Sequence, residues 1–192
     1  LDAPMRVQLH PDEHVAAVER HAARLVGAPG SENAAMYFPW LRPLQGDASF
    51  VPPCGHVAGV FANTDAERGV HKAPANEPLR GVVDLELRVD AASQAGPLAA
   101  VNCICPFPGR GLRIWGAHTL GGVPAMRHIG VRRLMLTLGR WLERQHGEFN
   151  FEPNDPGLWS RILRALHAEL GALFRRGAFF GQTPQDAYYV RC

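Results

Sequence analysis

Apolar and polar positions alternate along the chain with two different periods, and the change from one to the other marks its elements. In residues 11 to 26, Val15, Val18, Ala22 and Leu25 recur at helical spacing, which predicts an amphipathic helix. Pro11 suits its first turn, Asp12 and Glu13 favour the positive end of its dipole, and Gly27 stops it. Residues 34 to 40 are a short apolar, aromatic-rich run between Gly30 and Pro39, too short for a helix and expected to be a buried strand. A Pro/Gly loop is expected from there to about residue 52. Val57, Val60 and Phe61 then give a second helical face, closed by Asn63 to Gly69. Helix, strand and helix in this order fit a parallel α/β layer, of which the chain holds the later part. VVDLELRV, residues 82 to 89, alternates with period two, as a strand with one wet face does.

AASQAGPLA follows and is small, polar and flexible, so a boundary between two domains, 1–97 and 98–192, is expected there. Beyond it, Val101 to Cys105 and Leu112 to Gly116 read as strands joined by PFPGRG, whose prolines and glycines make a hairpin connection. Residues 129 to 146 are a helix with Val131, Leu134, Leu138, Trp141 and Leu142 on its apolar face. Residues 156 to 176 are a second helix, capped by Asp155, opened by Pro156 and ended by Gly177, with Trp159, Ile162, Leu166, Leu170 and Leu173 along one side. Tyr188 to Arg191 is expected to be a final strand. The fold class is therefore α/β, turning to α+β in the C-terminal part, with mixed sheets flanked by helices.

Composition narrows the function. At 192 residues, 46% hydrophobic and 20% charged, the chain can bury one large or two small cores. No apolar run approaches the roughly 18 residues of a membrane-spanning helix, so no membrane insertion is expected. The opening LDAPMRVQLHPDEH has neither a basic nor an apolar leader segment, and the missing initial Met suggests a fragment or processed chain. Four cysteines, Cys54, Cys103, Cys105 and Cys192, are too sparse for a disulfide framework, and Cys103 and Cys105 point the same way on one strand. Reduced thiols in a cytoplasmic protein are expected. Residues 1 to 97 hold 8 Lys+Arg against 12 Asp+Glu, whereas residues 98 to 192 hold 12 against 6, so the halves carry −4 and +6. A basic half fits nucleic acid, an acidic protein partner or a solvated surface.

Candidate chemistry is thin. Gly109, Gly111 and Gly116 do not have dinucleotide-loop spacing and precede a strand, and no phosphate-loop motif occurs. Ser31, Ser49, Ser93 and Ser160 lie outside any nucleophile elbow. His10, His14 and His21 read as an exposed polar face of the first helix, without a metal-ligand motif. Asp84 and Glu86 fit a solvated strand edge, and Glu152, Asn154 and Asp155 a helix start. No catalytic, cofactor-binding or metal residue is assigned, and no cofactor is expected. One polar feature stands out. Arg133, Arg140 and Arg144 fall within about a 40° sector of an ideal helix, and Arg161, Arg164 and Arg175 cluster on the next. No aromatics interleave with them, which argues against nucleic acid.

Five segments together resemble one family. VNCICPFPGRGLRIWGAHTL (101 to 120) and FEPNDPGLWSRILRALHAELGALFRRGAFFG (151 to 181) are similar to the contractile tail sheath proteins of bacteriophages and related injection machines. AAMYFPWL (34 to 41), VPPCGHVAGVFANTDAERGV (51 to 70) and HKAPANEPLRGV (71 to 82) resemble the segment preceding that block in the same proteins. The resemblance implies that residues 1–97 are the later part of a subtilisin-like sheath domain. Residues 98–192 would be the sheath C-terminal domain, a small β-sheet with two helices, lacking its terminal arm. The layer is borrowed without a matching triad around Asp2, His56 or any serine, so no enzyme is implied.

The implied protein is a structural protomer of a phage tail, prophage or pyocin-like particle, assembled in the bacterial cytoplasm. Its implied partners are copies of itself in a helical homo-oligomer, an inner tail tube protein and a baseplate. On triggering, such a lattice shortens and drives the tube through a target envelope. Copies are held together by β-augmentation through terminal arms. The arginine faces would contact the tube or a neighbour. Strands near 101 to 105, 112 to 116 and 187 to 191 are expected to share a small sheet with an unpaired edge, leaving this chain monomeric without arms. A basic nucleic-acid or scaffold module and a cryptic subtilisin-like hydrolase are the competing readings.

Overall fold

The computed structural model describes residues 1–5, 10–46, 49–147 and 149–191, which form two compact units, Leu1–Arg133 and Leu134–Cys192. The first unit begins with helix α1 (Pro11–Leu25), where Glu13 accepts the His10 N–H at 3.3 Å. Its Val18 and Ala22 are buried as the spacing predicts. Against expectation, His14 is buried too, bonded through Nε2 to the Pro4 carbonyl at 2.9 Å and set edge-on to Phe38. The expected polar histidine face is corrected there: an imidazole with one bonded nitrogen packs like an aromatic ring.

A mixed three-stranded sheet forms the centre of this unit. Strand β1 (Tyr37–Phe38) runs parallel to β4 (Asn102–Phe107), and β4 pairs antiparallel with β5 (Gly111–Trp115) from Cys103↔Trp115 to Phe107↔Gly111. Gly109 and Gly111 take positive φ in the tight connection, as the PFPGRG stretch requires. A two-residue ladder sufficed where the sequence indicates a longer strand. A second sheet joins β2 (Leu41–Pro43) to β3 (Val82–Leu85); β2 lies inside the expected loop. Helix α2 (Cys54–Arg68) and the short α3 (Ala91–Ala95), capped by Asp90, complete the layer.

The two faces of the sheet carry separate apolar cores. Met36, Phe38, Cys103, Cys105, Leu98 and Val101 lie on one side with α1, and Tyr37, Leu41, Ile104, Ile114 and Val57 lie on the other. Cysteines 103 and 105 thus share a face, as their spacing predicts. Leu98 and Val101 are almost fully buried, so the stretch expected to be a flexible boundary is anchored in this core at these two residues. That explains why the compact units divide after Arg133 instead of after residue 97: β4 and β5 hydrogen-bond into the layer begun by β1.

Asn102 holds the centre together. Its side chain is fully buried; Nδ2 donates to the carbonyls of Met36 at 3.2 Å and His118 at 2.8 Å, and Oδ1 accepts the His118 N–H at 2.7 Å. Nearby, Gly130 lies so close to the preceding chain that a Cβ would sit 2.5 Å from the His71 carbonyl oxygen.

The second unit is helical. It contains most of α4 (Ile129–His146), then α5 (Pro156–Arg175) and the single-turn α6 (Pro184–Ala187). Asp155 accepts the Leu158 N–H at 2.8 Å and Pro156 opens α5, as the sequence indicates. The expected strand at 188 to 191 is absent. Thr183 and Asp186 cap each other around Pro184, which commits this stretch to a helical turn, and Tyr188 then packs against His167 and Phe179. The three-strand sheet with an open edge is corrected in the same way. β1 is flanked by residues 1 to 3, with Ala3 N–H bonded to Tyr37, and β5 by residues 76 to 79, with Leu79 N–H bonded to Leu112.

Candidate functional site

The opposite charges of the two halves meet inside the first unit. Arg133 forms a two-pronged ion pair with Asp65 on α2, Nη1 lying 2.7 Å from Oδ1, while its guanidinium lies 4.9 Å from the Phe61 ring centre. Arg132 reaches Asn33 at 2.9 Å and Glu32 at 3.7 Å. Residues 98 to 133 contribute five arginines and no acid, so most of the +6 is located here, and two of the five, Arg132 and Arg133, pair with acids of the first half. Residues 134 to 192 hold 7 Arg against 6 Asp+Glu. Part of the charge asymmetry of the sequence is thus an internal complement.

The six arginines singled out by their spacing consequently separate. Arg133 leaves the expected solvent-facing stripe, because a planar guanidinium satisfies a carboxylate with two parallel bonds and stacks on an aromatic face. Arg140 and Arg144 are exposed on α4. On α5, Arg161 is paired with Glu152 at 2.7 Å, Arg164 donates to the Ser160 carbonyl at 3.2 Å, and Arg175 is exposed. The helical period identified the sector; it contained no information on a carboxylate 68 positions earlier in the chain.

Apolar exposure in the second unit is the surface feature that periodicity did not reveal. Phe151, Phe180 and Tyr189 are almost wholly exposed, Leu142 and Trp159 nearly half. A cavity of about 300 Å³ between α4 and α5 is lined by Trp141, Leu142, Phe149, Leu158, Ile162 and Leu166. Aromatic side chains and an apolar groove on one small unit are the anatomy of a contact surface. Leu142 and Trp159, like the groove-lining Trp141, Ile162 and Leu166, lie on the apolar stripes that the spacing marked, whereas Phe151, Phe180 and Tyr189 lie outside them.

Groups with catalytic potential are engaged elsewhere. Ser93 donates to Asp90 at 2.6 Å and Ser160 to the Pro156 carbonyl at 2.8 Å. Burial raises the thiols of Cys103 and Cys105 to about 12 and about 11, so both stay protonated at neutral pH. Cys54 is exposed, and its hydrogen bond with Asp2 also raises its thiol. Among the described residues no three His, Cys, Asp or Glu side chains gather as a metal cluster, and no helix is long and apolar enough to cross a membrane. A groove of about 380 Å³ is lined by His56, Asn63, Glu67, Glu77 and Arg80.

One histidine has a pH consequence. Burial, then the Arg127 guanidinium and the His128 imidazole, hold His118 below the ordinary histidine value of 6.5. The unfolded chain therefore takes up that proton first. The stability contributed by neutral His118 is fully present above about pH 6.5 and is lost as pH falls below it. Urea midpoints measured between pH 7.5 and 5.5 are expected to fall, and the His118→Gln variant to lose part of that dependence.

The layered fold of the first unit and the helical fold of the second are both found in known structural proteins of one kind. Residues 29–120 match the model of the phage tail sheath protein central domain. Solved structures extend the likeness. The sheath complex of an extracellular contractile injection system, PVC, in its contracted state is 31% identical with a TM-score of 0.83, covering 99% of this chain and 52% of that chain. The anti-feeding prophage (AFP) helical sheath in its contracted state is 34% identical with a TM-score of 0.75, covering 93% and 56%. A chain of the six-fold symmetrised AFP baseplate is 33% identical with a TM-score of 0.76, covering 93% and 53%. No curated protein matches. Residues 29–120 carry the phage tail sheath protein central domain, and the chain as a whole is similar to contractile sheath chains, of whose length it spans about half.

Proposed function

We propose that the chain is part of a protomer of a contractile sheath, which polymerises helically around an inner tube on a baseplate and shortens to drive the tube through a target envelope. The observation that carries this reading is the likeness to the contracted PVC sheath over 99% of the chain. The role is mechanical and not enzymatic, and the particle is assembled in the bacterial cytoplasm. Serines tied into helix starts and high-pKa thiols support that, and labelling by a serine-reactive phosphonate would count against it. The internal pairing of Arg132 and Arg133 removes the main support for a nucleic-acid module. In family terms the organisation remains a subtilisin-like layer followed by a C-terminal domain. The exposed aromatics of the second unit are surfaces that neighbouring copies cover. Sedimentation of the gene product tests assembly: large polymers are expected, and a persistent monomer contradicts the reading.

The arginine faces now reduce to Arg140, Arg144, Arg164 and Arg175, with Arg161 shared with Glu152. We assign them to contact with the tube or a neighbouring copy. Changing Arg140 and Arg144 to Glu is expected to alter folding stability by no more than about 1 kcal/mol, because exposed charges contribute little. The same variant is expected to pellet less with preformed tubes. Normal co-sedimentation would make this face merely solvated.

A further inference from the structure

Residues 117 to 129 close on themselves through two backbone hydrogen bonds, Thr119 N–H to Arg127 C=O at 2.7 Å and Ile129 N–H to Ala117 C=O at 2.9 Å. These bonds flank His118 and His128 and make them directly opposed residues of an antiparallel bridge. A pair flanked by its hydrogen bonds, not joined by them, is the closer kind, with Cα atoms about 4.5 Å apart and both side chains on one face. The two imidazoles lie side by side, their centres 5.3 Å apart and their planes at 55°. Nδ1 of His118 is buried without a hydrogen-bond partner, an arrangement that calls for an explanation.

A divalent cation supplies one. Imidazole nitrogens bind such ions at about 2.0–2.1 Å, and with the ring centre about 1.1 Å behind the nitrogen, two imidazoles on one ion have centres about 4.5 Å apart at a square-planar angle and about 5 Å at a tetrahedral one. The observed 5.3 Å is close to the tetrahedral separation. The backbone is also set in advance: Asn102 grips both the N–H and the C=O of His118 from the core. We propose that His118 and His128 form a two-imidazole site for a late first-row divalent cation, Cu²⁺, Ni²⁺ or Zn²⁺, with water completing the coordination on the exposed His128 side. Two nitrogen ligands and no carboxylate select these ions over Ca²⁺ and Mg²⁺, which need oxygen. The Arg127 guanidinium stands against a cation, but its Nη2 is turned to the Ala99 carbonyl at 3.3 Å. A bound ion would staple the 119 to 128 loop directly ahead of α4.

Isothermal titration of the chain without a polyhistidine tag, using NiCl₂, ZnCl₂ or CuCl₂ alone, tests the site. One ion per chain is expected, with the order of affinity placing Cu²⁺ above Ni²⁺ and Zn²⁺. His128 is exposed, so His128→Ala is expected to fold normally by circular dichroism and to bind at least about tenfold more weakly, since chelation by a second ligand is lost. His56→Ala is expected to bind as the parent does. Copper-bound chain is expected to show two nitrogen couplings by electron paramagnetic resonance, and His128→Ala one. Unchanged affinity in His128→Ala, equal binding of Ca²⁺, or no binding by the parent chain would overturn the proposal.

Discussion

Replacing Asn102 with leucine is expected to destabilise the protein by about 2–4 kcal/mol, although the two side chains are similar in size and the site is fully buried. The cost does not come from a cavity. Leucine leaves the N–H and C=O of His118 facing the core without their partners, and each orphaned group forfeits about 1–3 kcal/mol of hydration that nothing replaces. Met36 is less affected because its carbonyl also accepts the Asn102 backbone N–H at 2.8 Å. Urea unfolding of the two proteins measures the difference. A loss below about 1 kcal/mol would mean that the His118 strand is held by its packing and not by this side chain.

Arg133→Glu is expected to cost about 2–3 kcal/mol, in contrast to the near-neutral reversal of Arg140 and Arg144 on the same helix. Arg133 and Asp65 are only 30% and 26% exposed, so the reversal sets two carboxylates against each other in a partly desolvated place and removes the ring contact with Phe61. The double variant Asp65→Arg, Arg133→Glu is expected to recover part of the loss, since the pair is restored in the opposite sense while the stacking is not. A double-mutant cycle with no coupling would show the two side chains to be independent.

These two residues also show how far sequence reading reaches. The four long helices were legible from their period and their punctuation, as with Asp155 and Pro156 before α5 and Gly69 after α2, whereas the single-turn α3 and α6 are too short to show a period. Short pairings were not. β2, the flank at residues 1 to 3 and the flank at 76 to 79 are too brief to hold an alternation, and only the fold brings them beside a partner. Tyr188 to Arg191 misled because aromatic and β-branched residues suit strands, while the informative signal was the Thr183 and Asp186 capping box just before it. Small residues at 91 to 99 resembled a linker, yet Leu98 among them is buried. The candidate surface was legible as a sector of arginines, and the Asp65 partner of Arg133 was not, because ion pairs between distant residues leave no periodic trace.

The claim that this chain is part of a contractile sheath is tested most directly by electron cryo-microscopy of the gene product made together with the tube-forming protein of the same particle. The account predicts helical rods enclosing a tube, in a long state and in a shorter, wider one, with the Leu1–Arg133 fold recognisable in each repeat. Bare tubes beside unassembled protein would contradict it.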